Sequence, residues 1–414
     1  MPSIITYPWT LIGVQLLIFS LIGFTKPSSL LRHAAVALLV AVCVLVETTV
    51  QERIDNRAWK CIATVLAVAI PLTAVANFLV DNVNFAAGGP ERQVAQKTSS
   101  NRVSTRHSEK ENNHKLSRPQ SSRFWFAVEQ ATSRRRIGTP WQIKNVPQFS
   151  RRDPSYVPSR SSFLLNTAAS LFYCHLIWYL GSTQQLPDYT LVAIEKQPLL
   201  SRFREATVEE IIFRIACTTF SFVQFVICIE IFPLVFAFIA VASGLSEPAA
   251  WPPSFGSLSE LYSLRQFWGV FWHQYLHATF ESLSNLAARS LHLPKHTLID
   301  RHGRILISFF MSGILHTISD WGMTVHPQES GAMRFYLIQP LGIMLEDAVQ
   351  AAYYRLSGKQ RQKHVPLWHK IVGFVWLAVF QIWASPVWIY PLIRHVRFGV
   401  DLLYPFAIGK GGSG

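Results

Sequence analysis

Long apolar runs dominate this sequence and decide what it can fold into. A helix needs about 20 mostly apolar residues to cross the roughly 30 Å hydrocarbon layer of a bilayer. Runs close to this length lie at 8–25, 31–50, 58–80, 163–180, 211–245, 304–325, 333–353 and 368–393. Backbone polar groups in lipid must be satisfied within their own segment, which favours helices. The sequence therefore predicts an all-α, polytopic membrane protein with about eight transmembrane helices.

The run at 211–245 is the ambiguous one. As a helix it would measure about 50 Å, which is long for one span and short for two. We interpret it as one long helix, bent at Pro233. Reading it as two spans would invert the topology of everything that follows.

The chain has few charged residues, and most of its positive excess lies in one loop. Charged residues make up 15% of the chain, against about 25% in soluble proteins, which argues against a soluble multi-domain enzyme. The formal net charge is +14, and residues 92–160 hold fifteen Lys or Arg but four Asp or Glu. Positive loops of membrane proteins face the cytosol. The position of the loop beside the membrane thus accounts for its positive charge. We therefore expect contact with membrane lipids and no nucleic-acid partner.

This loop sets the predicted organisation. Three spans precede it, so the N-terminus is expected in the lumen. The chain divides into an N-terminal three-span region (1–85), a basic and partly disordered cytosolic loop (86–160) and a C-terminal membrane core (161–408). Residues 409–414 are typical of a tag remnant. The five cysteines are isolated from one another, which predicts packing roles and no metal site.

His316 is the sharpest candidate for chemistry. It lies midway along the sixth apolar run, and Asp320 follows one turn later on the same helical face. Ionisable groups inside a membrane are costly and mark functional sites. A neutral imidazole at this depth can take a proton from a hydroxyl, and a nearby carboxylate can hold its tautomer. A buried histidine bonded to a neighbouring helix would fit the same position.

A second cluster spans residues 265–274, from Arg265 to Gln274. Its aromatic residues recur at helical spacing, which predicts an interfacial amphipathic helix with its rings at headgroup level. Arg265 and His273 would then lie near the cytosolic face. Elsewhere, four charged residues in predicted spans either pair with arginines, line a polar tunnel or form structural pairs: Arg214, Glu230, Glu346 and Asp347.

Four stretches of the chain resemble the fungal wax-synthase-domain acyltransferases, relatives of the membrane-bound O-acyltransferases. They lie at 136–147, 264–274, 309–316 and 339–347. The resemblance implies that His316 is the catalytic histidine. His273 stands where many relatives carry Asn, and we expect it to orient the acceptor or stabilise the thioester oxyanion. Asp320 completes the predicted catalytic set.

The resemblance also implies a co-substrate. Acetyl-CoA would supply an acetyl group to a hydroxyl of a terpenoid or meroterpenoid alcohol, with no bound cofactor, in the endoplasmic reticulum. The residues expected to bind it are Arg136, Trp141, Lys144, Asn145, Arg265, Trp268, Trp272 and Gln274. A long-chain wax-ester or sterol acyltransferase and a non-enzymatic transporter or lipid-binding protein are the alternatives. Transporters often carry inverted repeats, and no internal repeat stands out in this sequence.

Overall fold

A computed structural model describes residues 6–54, 57–90, 122–182, 188–358 and 365–396. Most of the segment that the sequence predicts to be disordered, and the predicted tag remnant at 409–414, lie outside the described residues. Within the described ranges most residues are helical, and the two strands contain two residues each. The expectation of an all-α fold is therefore confirmed.

Eleven helices of ten or more residues occur in the described ranges. They are α1 (Thr6–Phe24), α2 (Leu30–Arg53), α3 (Arg57–Ala74, continued by a π-helical turn Val75–Val80), α4 (Arg123–Thr132), α5 (Arg160–Ser182), α6 (Val208–Ala242), α7 (His277–Ser290), α8 (Leu298–Gly322), α9 (Ala332–Ser357), α10 (Leu367–Ala384) and α11 (Pro386–Val396). Two-residue strands β1 (Val83–Asn84) and β2 (Gly89–Pro90) pair antiparallel. Short helical turns lie at Tyr189–Val192, Ile194–Lys196, Leu200–Arg202, Pro248–Ala250, Leu258–Glu260, Leu264–Gln266 and Phe267–Phe271.

Each of the eight predicted apolar runs is helical, and six of the helices are long and apolar enough to cross a membrane. The six are Leu30–Arg53, Lys60–Val80, Arg160–Leu180, Val208–Ala242, Leu298–Gly322 and Leu367–Ala384. Helix α1 has a shorter apolar part, Ile12–Phe24. Helix α9 is 26 residues long but carries buried polar side chains. The 211–245 run is one helix of 35 residues with Pro233 inside it, as predicted.

The last apolar run is divided by a proline. Helix α10 ends at Ala384, and α11 begins at Pro386. Proline has no N–H to continue the hydrogen bonding of α10, whereas its fixed φ suits the first residue of a new helix. Helix α11 packs against α9 and α6, and its Trp388 and Leu392 side chains are buried.

Helix α10 shows how the membrane helices face lipid. It exposes large apolar side chains over much of its surface: Leu367, Trp368, Ile371, Val372, Phe374, Val375 and Val379. A continuous exposed apolar surface of this kind is unfavourable in water and is typical of contact with lipid. This surface and the long apolar helices identify a membrane protein.

The largest core lies where α8, α9, α10 and α11 meet. It includes Phe335 and Tyr336 of α9, Phe380 of α10 and Trp388 of α11. Helix α8 also packs against α3, where a Cβ on Gly322 would approach Thr64 Cγ2 to 2.0 Å. The N-terminal helices thus contact the helix that carries His316, and the division at residues 85 and 160 stays a prediction.

Candidate active site

His316 lies midway along α8, between two aromatic rings from other helices. Its imidazole stacks on the ring of Tyr336 from α9, with 4.7 Å between centroids and 7° between planes. The Trp388 ring from α11 meets it edge-on at 5.0 Å and 65°. Protein surrounds the imidazole, yet part of its surface remains accessible. The arrangement holds the ring in one orientation.

Two glycines allow these helices to come so close. Gly313 lies one turn before His316, and a Cβ there would come within 2.8 Å of Met333 Sδ at the start of α9. A Cβ on Gly331 would come within 1.7 Å of the Val387 carbonyl oxygen. Because glycine has no side chain, Gly313 lets α8 approach α9, and Gly331 lets the start of α11 approach the turn before α9.

Asp320 is linked to His316 through the indole of Trp388. Its Oδ2 accepts a hydrogen bond of 2.6 Å from Ser330 Oγ and one of 3.0 Å from Trp388 Nε1. Among the described residues no hydrogen bond joins Asp320 to His316. The carboxylate therefore fixes the indole that contacts the imidazole, and its part in catalysis stays a prediction.

The 265–274 segment does not form the expected interfacial helix. A single helical turn, Leu264–Gln266, leads into a π-helical turn, Phe267–Phe271. The Trp272 N–H donates to the Phe267 carbonyl five residues back. Because a π turn accommodates an extra residue, the rings no longer share one outer face. Phe267, Phe271 and Trp272 lie inside the main core, so the prediction of an amphipathic helix with its rings on one outer face was wrong.

His273 follows this turn and lies outside any helix, since α7 begins at His277. Its ring centroid is 5.7 Å from those of Trp272 and Tyr275. Burial, and then the charge of nearby His277, lower the pKa of His273 to about 4. Its Nδ1 is buried without a hydrogen-bond partner in the described structure. The ring is close enough to His316 for an electrostatic interaction, and a shared catalytic role stays a prediction.

The two tryptophans predicted to bind the co-substrate, Trp268 and Trp272, pack among other aromatic side chains. Trp268 Nε1 donates to Gln339 Oε1 at 3.0 Å, and the Trp268 ring is 5.4 Å from that of Phe309. The Trp272 ring packs edge-on against Phe222 at 5.7 Å. The Trp268 ring lies 6.1 Å from that of Tyr336, and the Trp272 ring lies 5.7 Å from that of His273.

Arg265 belongs to a cluster around one carboxylate of α9. Its guanidinium binds both oxygens of Asp347, and His302 Nε2 lies 2.9 Å from Asp347 Oδ2. Arg301 lies 3.5 Å from the same oxygen. Of the explanations left open for the Asp347 charge, pairing with arginines is confirmed. The adjacent Glu346 accepts a 2.7 Å hydrogen bond from the Leu264 backbone.

The 136–147 stretch packs against the N-terminal region and the aromatic turn. Arg136 forms a buried 2.9 Å ion pair with Asp81, which also accepts a 2.8 Å hydrogen bond from Ser282. The Trp141 ring covers Gly89, whose Cβ would come within 2.5 Å of it. Since the Arg136 guanidinium is paired and enclosed, its geometry indicates a structural role.

The end of the same stretch joins the two predicted clusters. Asn145 Nδ2 donates to the Gly269 carbonyl at 3.1 Å, and the Asn145 carbonyl accepts a 2.9 Å bond from Gln274 Nε2. Lys144 is exposed beside them. Asn145 and Gln274 therefore hold the loop on the turn that leads to His273.

Sequence reasoning missed several side chains of the site. Tyr336 and Trp388 were not candidates, because an aromatic residue in an apolar run is read as packing. Arg135, next to Arg136, donates to the Pro252 and Pro253 carbonyls at 2.5 and 2.6 Å. Its guanidinium lies over the Tyr275 ring at 5.6 Å.

Tyr275 extends a polar network behind His273. Its hydroxyl lies 2.5 Å from Ser254 Oγ, and Ser254 also contacts Glu230. Burial raises the pKa of Tyr275 to about 12. Arg214, by contrast, donates to the carbonyls of Lys196 and Gln197. Glu230 and Arg214 thus have separate partners.

Within the described residues, no group of three or more His, Cys, Asp or Glu side chains is arranged to hold a metal ion.

Known proteins share the region that carries this site. Residues 251–338, which include His273 and His316, match the membrane bound O-acyl transferase family. The chain is 33% identical over 273 residues to the acetyltransferase spyB of Aspergillus fumigatus, covering 62% of this chain and 46% of that protein. It is 33% identical over 297 residues to the acetyltransferase fsoF of Humicola fuscoatra, covering 68% and 70%.

A third relative is aligned over nearly its whole length. The acetyltransferase ataH of Aspergillus terreus is 31% identical over 287 residues, covering 67% of this chain and 92% of that protein. The chain spans a smaller share of two curated relatives: 46% of the length of spyB, and 62% of the length of the acetyltransferase pyr8 of Aspergillus fumigatus. No solved structure matches the chain. The identities over most of the chain, with a family match around both histidines, show that this chain belongs to the membrane-bound O-acyl transferase family.

Proposed function

We propose that this protein transfers an acetyl group from acetyl-CoA to a hydroxyl of an apolar alcohol, with His316 as the general base. The observation that carries the proposal is the position of His316: an accessible imidazole in the membrane, held between Tyr336 and Trp388. Acceptor activation needs this combination, because a base must be fixed in orientation and still reach the acceptor oxygen.

The proposed reaction needs only one general base, His316. His316 takes the proton of the acceptor hydroxyl while that oxygen attacks the thioester carbonyl. A C–O bond forms, the C–S bond breaks, and the imidazolium returns its proton to the leaving thiolate, releasing free CoA. A thioester is already activated, so no acyl-enzyme is needed. The proposed step therefore uses none of the five cysteines as a nucleophile.

His273 supports the developing negative charge. Its pKa of about 4 keeps the ring neutral at pH 7. A neutral ring with its proton on the unpartnered Nδ1 can donate to the thioester oxygen. One donor of this kind typically contributes on the order of 10²- to 10³-fold to the rate.

The surroundings of His316 favour a bulky, apolar acceptor. Rings of Trp268, Phe335, Tyr336 and Trp388 contact one another around the imidazole. Such walls suit a polycyclic skeleton that partitions into the membrane and presents one hydroxyl. We therefore propose a terpenoid or meroterpenoid alcohol as acceptor, in the endoplasmic reticulum membrane.

The donor is the point on which the main alternative differs. The relatives aligned above are named acetyltransferases, which supports an acetyl donor. A wax-ester or sterol acyltransferase would prefer a long acyl chain. A transporter or lipid-binding protein would consume no thioester.

Membranes containing the protein test the proposal directly. They are incubated with acetyl-, octanoyl- or palmitoyl-CoA and a panel of terpenoid alcohols, and free CoA and the ester product are quantified. We expect acetyl-CoA consumption that depends on the alcohol and a product heavier by one acetyl group. Membranes without the protein are the control. Preference for palmitoyl-CoA would support the long-chain alternative, and no consumption with any pair would contradict the proposal.

A further inference from the structure

His273 is oriented by neighbouring rings, because no helix fixes its backbone. It lies between the π-helical turn and α7, and its Nδ1 has no hydrogen-bond partner in the described structure. The Phe255 ring lies 6.0 Å from the imidazole at 68°, and the Tyr275 ring lies 5.7 Å from it at 30°. The orientation of the imidazole therefore depends on what holds these two rings.

Phe255 belongs to residues 252–256, which we call the proline segment. The end of this segment lies directly on the π-helical turn that leads to His273. The Gly256 N–H donates a 2.8 Å hydrogen bond to the Phe271 carbonyl. A Cβ on Gly256 would come within 2.5 Å of the Val270 carbonyl oxygen, so only glycine permits this contact. The position of the Phe255 ring thus follows the position of the segment.

Arg135 holds the beginning of the proline segment. Its guanidinium donates to the Pro252 and Pro253 carbonyls at 2.5 and 2.6 Å, and the residue is only 7% exposed. The same guanidinium lies over the Tyr275 ring, 5.6 Å from its centroid. A cation over an aromatic face binds more strongly when both are removed from water. One buried cation therefore contacts both the proline segment and a ring that stacks on His273.

Tyr275 is also joined to the proline segment through its hydroxyl. The Tyr275 hydroxyl lies 2.5 Å from Ser254 Oγ, and Ser254 contacts Glu230 of α6. Glu230 is close enough to Arg135 for an electrostatic interaction. Burying a charge is costly unless it is compensated, and here carbonyls, an aromatic face and a carboxylate compensate it together. Removing the guanidinium would leave these groups without the positive charge that they share.

The backbone of Arg136 separates the two neighbouring arginines. Arg136 has a φ of 53°, a left-handed conformation that is uncommon for residues with a side chain. Its guanidinium pairs with Asp81 in the N-terminal region at 2.9 Å, whereas that of Arg135 binds the proline segment. The two arginines therefore bind different parts of the protein, and their effects can be measured separately.

We propose that Arg135 is a positioning residue for His273. By binding the proline segment and the face of Tyr275, it holds the two rings that orient the imidazole. The inference rests on the role in acetyl transfer proposed above for His273. Arg135 acts through other side chains, so its loss should slow the chemical step and leave binding of acetyl-CoA nearly unchanged.

Kinetics of Arg135 variants test this role. Because a misplacement of about 1 Å can cost about 100-fold in rate, we expect Arg135→Gln to lower kcat about 10- to 100-fold with KM for acetyl-CoA little changed. Arg135→Lys keeps the charge and should restore part of kcat. Arg32→Gln is the matched control, since Arg32 is also fully buried, donates to the Val83 carbonyl at 2.9 Å and lies 5.6 Å from the Phe78 ring centroid. Its kcat per folded protein should equal that of the wild type.

A second background shows whether Arg135 acts through His273. Residues of one network have non-additive effects. In a His273→Ala protein, whose residual turnover is followed with radiolabelled acetyl-CoA, adding Arg135→Gln should therefore lower kcat no further.

Chemical labelling gives a result that does not require turnover. Purified protein in detergent is treated with diethylpyrocarbonate, and modification of each histidine is followed by mass spectrometry. We expect His273 to react several-fold faster in Arg135→Gln, because its ring is no longer held. His326 is exposed and should react at the same rate in both proteins. If the wild type consumes no thioester, the proposed function is contradicted, and the labelling of His273 decides on the positioning role.

Three outcomes would overturn the inference. One is a folded Arg135→Gln protein in which either the labelling of His273 or kcat is unchanged. The second is an equal loss of kcat in Arg32→Gln, which would indicate a general effect of losing a buried arginine. The third is the same fold-loss from Arg135→Gln in the wild-type and His273→Ala backgrounds, which would mean that Arg135 acts independently of His273.

Discussion

Trp388 Nε1 donates a 3.0 Å hydrogen bond to Asp320 Oδ2, and the edge of the same ring faces His316 with 5.0 Å between centroids. A carboxylate and an imidazole of one helix are thus connected through an indole of another. Phe225 and Phe335 stack near the Trp388 ring at 5.1 and 5.3 Å. The indole therefore has little freedom to move, and His316 has a fixed wall.

Replacing Trp388 with Phe should slow catalysis. The ring contact with His316 is largely kept, but Asp320 loses a buried donor, an effect of about 1.5–3 kcal/mol when the acceptor is charged. We expect kcat to fall about 10-fold with KM for acetyl-CoA little changed. Trp376→Phe is the control, because the Trp376 Nε1 has no hydrogen-bond partner in the described structure. Equal activity of both variants would contradict the role assigned to the Trp388–Asp320 bond.

Replacing His316 with Ala should remove the general base. Positioned bases contribute about 10²- to 10⁴-fold, so we expect turnover to fall by at least that range while the protein remains folded. His326 is an exposed histidine in the turn before α9, and His326→Ala should keep full activity. Product formation by both variants at equal protein amount gives the comparison. A well-expressed His316→Ala protein with normal turnover would identify His273 as the base instead.

The pH dependence of stability should report on His273. Its folded-state pKa of about 4 lies below the ordinary value of about 6.5. Between these two values the unfolded chain binds the proton and the native state does not, so stability falls as pH drops from about 6.5 to about 4. His273→Asn removes this titration and keeps a side-chain donor. Its Tm should vary less with pH over that interval, and an unchanged profile would contradict the assignment.

The buried pair between Arg136 and Asp81 should matter for folding. Removing one partner of a buried pair typically costs 3–5 kcal/mol, whereas an exposed pair contributes about 0–1 kcal/mol. Asp81→Asn should therefore lower Tm and the yield of folded protein. Glu260→Gln, which breaks the exposed pair with Arg151, should leave both nearly unchanged. Similar melting of the two variants would mean that Arg136 finds another partner.

The sequence was sufficient for the features that depend on one segment alone. Span length and hydropathy act within each helix, so the helices and the midway position of His316 could be predicted. The one-helix reading of 211–245 followed from length in the same way. The resemblance of two motifs to one family also singled out His273, whose role in the reaction stays a prediction.

Features that depend on how helices meet could not be predicted. Tyr336 and Trp388 reach His316 because Gly313 and Gly331 let backbones approach, and a sequence does not show which helices will be neighbours. The predicted helix at 265–274 was wrong for a local reason. Its spacing fits an ordinary helix, and the single residue accommodated by the π turn rotates the rings inward.

The docking of α11 has a consequence for biosynthesis. Helix α8 is made before Trp388 exists, and α9 and α10 follow it before α11 can pack into the core. A membrane-inserted chain that stops before α11 would therefore carry His316 and lack the wall that orients it. Competence for chemistry would then depend on the packing of α11, a step that comes after the synthesis of the helix that carries His316.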